Sequence, residues 1–413
     1  MSLRDKFTQF GPGLLYAGAA VGVSHLVQST RAGAEFGFQL LGVIILVNII
    51  KYPIFEMGPR YAAATGKSLL DGYQRIGSWA TWLFLVMTVS TMFIVMAAIS
   101  IVTSGLFSQL TGLTLEPAFL AIILIALSVF ILGLGHYSTL DKLMKFIVIL
   151  LTSTTILALG FSFIEPIIKT EEAMTVFELG NRKDILFLVA LIGWMPAPID
   201  ISIWHSVWSV SKNKERGKRL PLKVSLADFN MGYWGTTFLA ICFVSLGAIV
   251  MYGTTESPAS GAADFASQFI SLYTQNLGEW AFPFIALAAF TTMFSTLLTC
   301  LDAFPRTLRQ ASKLVAERLS ERKFHNNLYW FWLITTAIGT SVILLFFLRD
   351  MREMVDLATT ISFVLAPIFA LLNFIAMNGS DVSEESKPSK AKKIYAQVSI
   401  ALLFIFSTWF LFY

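Results

Sequence analysis

Charge is scarce in this chain: Asp, Glu, Lys and Arg make up 14% of its 413 residues, where a soluble globular protein carries about a quarter. With 56% of the residues hydrophobic, too little polar surface remains to keep a folded chain in water. Cysteine is scarcer still. Cys242 and Cys300 both fall in apolar runs without ligand-type spacing, which argues against a disulfide or a thiolate metal pair and leaves packing as their role. The sequence also lacks a phosphate-binding glycine loop, the H-E-x-x-H zinc pattern and a nucleophile elbow, so neither an enzyme nor a cofactor is implied. A cleavable signal peptide is not expected: Met1–Phe10 is polar, and glycines break the first apolar run.

Long apolar runs are what the chain has instead. Eleven stretches approach the roughly 20 apolar residues that cross a bilayer: 11–35, 38–62, 78–107, 115–134, 141–163, 185–209, 226–252, 278–302, 327–348, 354–377 and 394–413. All are expected to be helices, since a spanning segment must satisfy its backbone groups internally and these runs are too long for barrel strands. Lysine and arginine set the expected orientation. With the N-terminus in the cytoplasm, 23 of the 30 basic residues fall in inner segments, six fall in outer ones, and Lys51 lies inside a span. This is a positive-inside bias, and it reads as topology rather than as a nucleic-acid surface. The expectation is a multi-pass protein of a bacterial cytoplasmic membrane, N-terminus cytoplasmic and C-terminus external, in contact with lipid. The longest loops, 164–184 and 253–277, are expected outside. The first carries Glu165, Glu171, Glu172, Glu178 and Asp184, acids that either attract cations or are simply solvated.

Two spans do not read as lipid-facing helices. In the first, Gly11-Pro12-Gly13 leads to Gly18, Gly22, Val23, Ser24 and His25, then Gln28, Ser29 and Arg31. In the sixth, Gly193 is followed by Met195-Pro196-Ala197-Pro198 and Asp200, then Ser202 and His205. Two prolines one residue apart remove amide donors and clash with the preceding turn, so the helix breaks there. Broken backbone at membrane depth is tolerated only where it is buried in protein or lines a wet cavity. Breaks in the first span of each of two five-span sets predict an inverted-repeat transporter with its site between discontinuous helices. The expected division is 1–163 for spans 1–5, 185–377 for spans 6–10, and 394–413 for an additional eleventh span.

Ionisable residues inside a membrane are functional candidates by default. His25 can ligate a metal, shuttle a proton, donate to an anion, or simply bond the free carbonyls of the break. Asp200 is either a cap on the positive end of the second half-helix or a cation ligand. Met195 offers a soft thioether or is apolar filler. In span 2, Glu56 and Arg60 are spaced to pair near the inner surface, whereas Lys51 lies deeper and can snorkel, pair or face a cavity. Asp228, Asn230, Thr291, Thr292, Ser295, Thr299, Thr359, Thr360 and Ser362 can line a polar pathway or glue helices together.

Gly11-Pro12-Gly13, Ala32-Gly33-Ala34-Glu35-Phe36-Gly37, Leu40-Leu41, Asn48, Thr65-Gly66-Lys67-Ser68-Leu69, Leu140-Asp141-Lys142, Ile147-Val148 and Met195-Pro196 together resemble the natural-resistance-associated macrophage protein (NRAMP) family. The resemblance implies an all-α integral membrane protein of the LeuT type, a 5+5 inverted repeat with an eleventh helix, helices 1 and 6 broken, working by alternating access. Where that family carries Asp-Pro-Gly-Asn in span 1, this chain has Gly22-Val23-Ser24-His25. Its Met-Pro-His in span 6 becomes Met195-Pro196-Ala197. The acids of its third span are missing, because nothing from Ile76 to Leu115 is charged.

The substrate-binding candidates are therefore Gly22, Val23, Ser24, His25, Met195, Ala197 and Asp200, with His25 and Met195 as metal ligands. The substrate expected is a small inorganic ion. Divalent transition metal comes first, because imidazole and thioether suit soft cations while hard ones need oxygen. A small anion such as bicarbonate, or a polar solute, is the alternative, since no acid lies at the first break and half-helix N-termini favour negative charge. A ligand sensor that does not transport is a third reading. Coupling is expected to be uniport or to differ from the family's proton route.

Overall fold

The computed structural model describes residues 11–134, 137–163, 169–170, 174–254, 258–316, 322–347 and 350–413, and among them there is no strand. The first span is α1 (Pro12–Ala20), a π-helical stretch (Ser24–Ser29) and α2 (Thr30–Phe36). Then come α3 (Leu41–Thr65), α4 (Leu69–Ile76), α5 (Ser78–Thr111), α6 (Pro117–Gly133) and α7 (Tyr137–Ser162). The sixth span is α8 (Arg182–Trp194) and α9 (Ile201–Glu215). It is followed by α10 (Leu222–Val250), α11 (Ala262–Leu277), α12 (Phe282–Val315), α13 (Arg322–Phe346), α14 (Met351–Met377) and α15 (Lys390–Phe412). Seven of these helices are long and apolar enough to cross a bilayer, and α6 and part of α7 are shorter and apolar. With the two broken spans, they account for the eleven runs read from hydropathy.

Both breaks occur where the sequence places them. The first falls at Val21–Gly22 and the second at Met195–Asp200, where the Met195–Pro196 peptide is cis. In lipid no hydrophobic drive pulls helix to helix, so small residues that let backbones approach do much of the packing. Gly193 shows this: a side chain there would run into the Thr359 carbonyl of α14. Large apolar side chains such as Trp82, Phe119, Ile123 and Phe130 remain exposed on the perimeter, as expected of a surface that meets acyl chains. Cys242 and Cys300 are free and buried.

Two helices lie where loops were expected. Residues 253–277 include α11, whose Phe265, Ala266, Phe269, Ile270 and Tyr273 are buried at the i, i+4 spacing of one helical face. The other is α4, whose start is fixed by a capping box between Ser68 and Asp71. Neither is long or apolar enough to register as a span. Of the acidic loop, Glu165, Glu171 and Glu172 lie outside the described residues, while Asp184 accepts a hydrogen bond from the Glu178 amide at 2.9 Å.

Candidate functional site

A broken helix leaves carbonyls without amide partners, and at membrane depth each must be satisfied by protein. At the first break hydroxyls do this. Ser24 Oγ donates to the Ala20 carbonyl at 2.8 Å. From α12, Thr296 Oγ1 donates to the Gly18 carbonyl at 2.9 Å, with the Val21 carbonyl at 3.4 Å. Gly22 is required for that approach, since a Cβ there would lie 2.8 Å from Thr296 Cγ2.

An ammonium group caps the second break. Lys51, wholly buried on α3, donates from Nζ to the carbonyls of Ile192 at 2.7 Å and Gly193 at 2.9 Å, with Ala197 at 3.5 Å. The two breaks meet. Ser24 Oγ lies 3.3 Å from the Pro196 carbonyl, so residues 172 positions apart in sequence share one buried place between α1, α8, α10 and α12.

The candidates are thus brought near each other but oriented differently. Gly22, Val23, Ser24, His25, Met195 and Ala197 are buried, and Asp200 is partly exposed. His25 turns toward α10: Nε2 donates to the Thr236 carbonyl at 2.9 Å, and Nδ1 lies 2.8 Å from Ser24 Oγ. Met195 packs in an apolar cluster with Ile192, Ala240 and Phe363. Asp200 occupies the N-cap position of α9 without a side-chain cap bond, and its Oδ1 has no hydrogen-bond partner among the described residues. No group of three or more His, Cys, Asp or Glu that could hold a metal occurs among those residues. His205 Nδ1 lies 3.3 Å from Ser209 Oγ, and its ring packs against Phe229.

A scan against protein families matches residues 13–413 to the Nramp model, described as natural resistance-associated macrophage protein-like. The chain belongs to the Nramp family. It is 36% identical over 373 residues to the Pasteurella multocida protein PM0681, covering 89% of this chain and 84% of that one. It is 27% identical over 262 residues to the divalent metal cation transporter MntH of Pediococcus pentosaceus, covering 60% of this chain and 56% of MntH. Among solved structures, a single-site mutant of the manganese transporter of Eremococcus coleocola superposes with a TM-score of 0.69 at 12% identity, covering 96% of this chain and 84% of that one. The fold is therefore the LeuT-type 5+5 bundle with an eleventh helix, and this Nramp protein is a multi-pass membrane transporter rather than an enzyme.

Several polar residues of this Nramp chain, read from the sequence as pathway lining or helix glue, have structural partners. Asp228, a pathway candidate, instead caps α1: its carboxylate accepts from the Gly11 amide at 3.2 Å and the Gly13 amide at 2.7 Å, using the orphan donors of a helix start. Thr292 and Thr359 bond carbonyls of their own helices, and Ser362 accepts from Trp194 Nε1 at 2.8 Å. Thr299 Oγ1 has no partner among the described residues. The Glu56–Arg60 pair forms as expected, at 2.5 Å, and is joined by Lys392 at 2.8 Å.

The two ends of the bundle differ. At the end holding the starts of α8 and α14, Arg31 is buried and pairs with Asp356 at 2.8 Å and with Glu35 at 3.6 Å, while Arg352 also pairs with Glu35 at 2.8 Å. The opposite, basic end holds a cavity of about 330 Å³ whose charged lining is Lys67, Asp71, Lys214, Arg306, Arg309 and Lys313.

Proposed function

We propose that this Nramp protein moves a small inorganic ion by alternating access, with the substrate held where the two broken spans meet. The observation that supports this reading is the contact between Ser24 and the Pro196 carbonyl, which joins the first break to the second. The proposed halves are 1–163 and 185–377, with 394–413 added, and the N-terminus faces the cytoplasm.

A divalent transition metal is the first substrate reading, supported by family membership and by the thioether at the second break. The relative MntH is named a divalent metal cation transporter. In this reading Met195 supplies sulfur, and His25 exchanges its Nδ1 contact with Ser24 for the ion. A small anion is the second reading. It is favoured by a specific observation: the only charge donated to the second-break carbonyls among the described residues is the positive one of Lys51, with no carboxylate in the Gly22–His25 motif.

Uptake of Mn²⁺ and Cd²⁺ into proteoliposomes, by the parent chain, Met195→Ala and His25→Ala, tests the choice. The metal reading expects uptake that falls in both variants, with Cd²⁺ losing more than Mn²⁺ in Met195→Ala. Folded protein that takes up no metal but accumulates labelled bicarbonate would replace it with the anion reading.

A further inference from the structure

The ammonium at the second break is the least expected group in the molecule. A lysine in a transmembrane segment ordinarily snorkels to the interface or pairs with an acid. Lys51 does neither. Its side chain is 0% exposed, and no ion pair involving it occurs among the described residues. Instead its nitrogen faces carbonyl oxygens at 2.7, 2.9 and 3.5 Å. These carbonyls belong to the last turn of α8 and to the unwound segment after it, where the helix dipole concentrates partial negative charge.

Unwound carbonyls and half-helix C-terminal ends are the groups that coordinate a free cation between discontinuous helices. A primary ammonium is close to a potassium ion in size and carries the same charge, and it too is held here by backbone oxygens. The first break is satisfied differently, by the neutral hydroxyls of Ser24 and Thr296. Only the second carries a full charge.

We infer that Lys51 is a tethered cation: it fills a carbonyl cradle at the second break that would otherwise hold a diffusible monovalent cation. The ion is thereby built into the chain, and Lys51 becomes a specificity-determining residue for the substrate beside it. Ala197, whose carbonyl lies at the edge of the cradle, is also a substrate candidate. A free cation arriving there competes with the ammonium for the same oxygen and meets a like charge. An anion meets an attractive one. The consequence for substrate choice rests on the reading that the breaks form the transport site, whereas the cradle itself does not.

Thermal unfolding of purified protein tests the cradle without any transport assay. The parent chain, Lys51→Ala, Lys51→Ser and Lys51→Gln are melted in potassium, sodium or choline chloride at equal ionic strength. Alanine and serine vacate the cradle, glutamine fills it without charge, and choline is too bulky to enter. The expected result is that Lys51→Ala and Lys51→Ser unfold roughly 2–4 °C higher in potassium or sodium than in choline, while the parent and Lys51→Gln do not distinguish the salts. A lysine that merely caps a helix predicts a loss that is equal in every salt. Equal behaviour of Lys51→Ala and Lys51→Ser across the salts, whether folded or unfolded, overturns the inference. The melt holds no transported substrate, so it can succeed while the uptake experiment fails, and the reverse.

Discussion

Thr296 does for the first break what Lys51 does for the second, but with a neutral group. Its hydroxyl bonds the Gly18 carbonyl at 2.9 Å and is buried against Gly22. Replacement by valine keeps the shape and removes the donor, leaving a buried carbonyl unsatisfied, which costs about 1–3 kcal/mol. Thr296→Val is therefore expected to lower the unfolding temperature in detergent, while Thr292→Val, which removes a hydroxyl bonded to the Ala288 carbonyl of its own helix, lowers it less. Equal effects would mean that the first break does not depend on α12. Thr296 did not stand out in the sequence, and Thr292 did so only as a pathway candidate, because a hydroxyl in an apolar helix looks the same whether it bonds its own turn or a neighbour. Lys51 did stand out, as a charge inside a span, but its partners did not. They are carbonyls 141 and 142 positions away, and backbone acceptors leave no residue signature. Asp228 misled for the same reason, since its partners are the amides of Gly11 and Gly13.

At the scale of elements, hydropathy revealed the spans and proline and glycine revealed the breaks, because bilayer thickness and the missing amide of proline act locally along the chain. Helices α4 and α11 escaped, since a short helix with one buried face resembles a loop in a hydropathy window. The ion pairs that tie α2 to α14 escaped as well. Arg31 reaches Asp356 across 325 positions, and it also lies over the Phe187 ring of α8 at 4.8 Å. Alternating access needs this end to open, and a buried guanidinium that loses its partner resists remaining buried. Asp356 is 31% exposed, so the pair is partly screened and its contribution is on the order of 1 kcal/mol. Asp356→Asn is expected to shift the population toward the state open at this end by about fivefold. A cysteine placed at Thr30, with Cys242 and Cys300 replaced by alanine, should then react faster with an impermeant maleimide by that factor. An unchanged rate would show that the Arg31 cluster does not hold the end closed.

For the whole molecule, the ion-pair cluster and the basic cavity of about 330 Å³ lie at opposite ends, and the proposed orientation gives each end a side. Of the 30 basic residues, 23 fall in segments at one end by the eleven-span reading, and translocation of such segments is disfavoured. On the orientation proposed above, the cavity faces the cytoplasm and the Arg31 cluster the outside. The sixth span supplies a sharp test, because it is broken and because its two flanks differ in sign. Leu179 is 70% exposed just ahead of α8, and Lys218 is exposed in the turn between α9 and α10. In a chain whose native cysteines are replaced by alanine, Leu179→Cys should react with an impermeant maleimide added to intact cells. Lys218→Cys should react only after the membrane is opened. The opposite pattern would invert the orientation and move the cavity outside. Reaction of both from one side would show that α8 and α9 do not together cross the bilayer, and would remove the basis for placing the substrate between them.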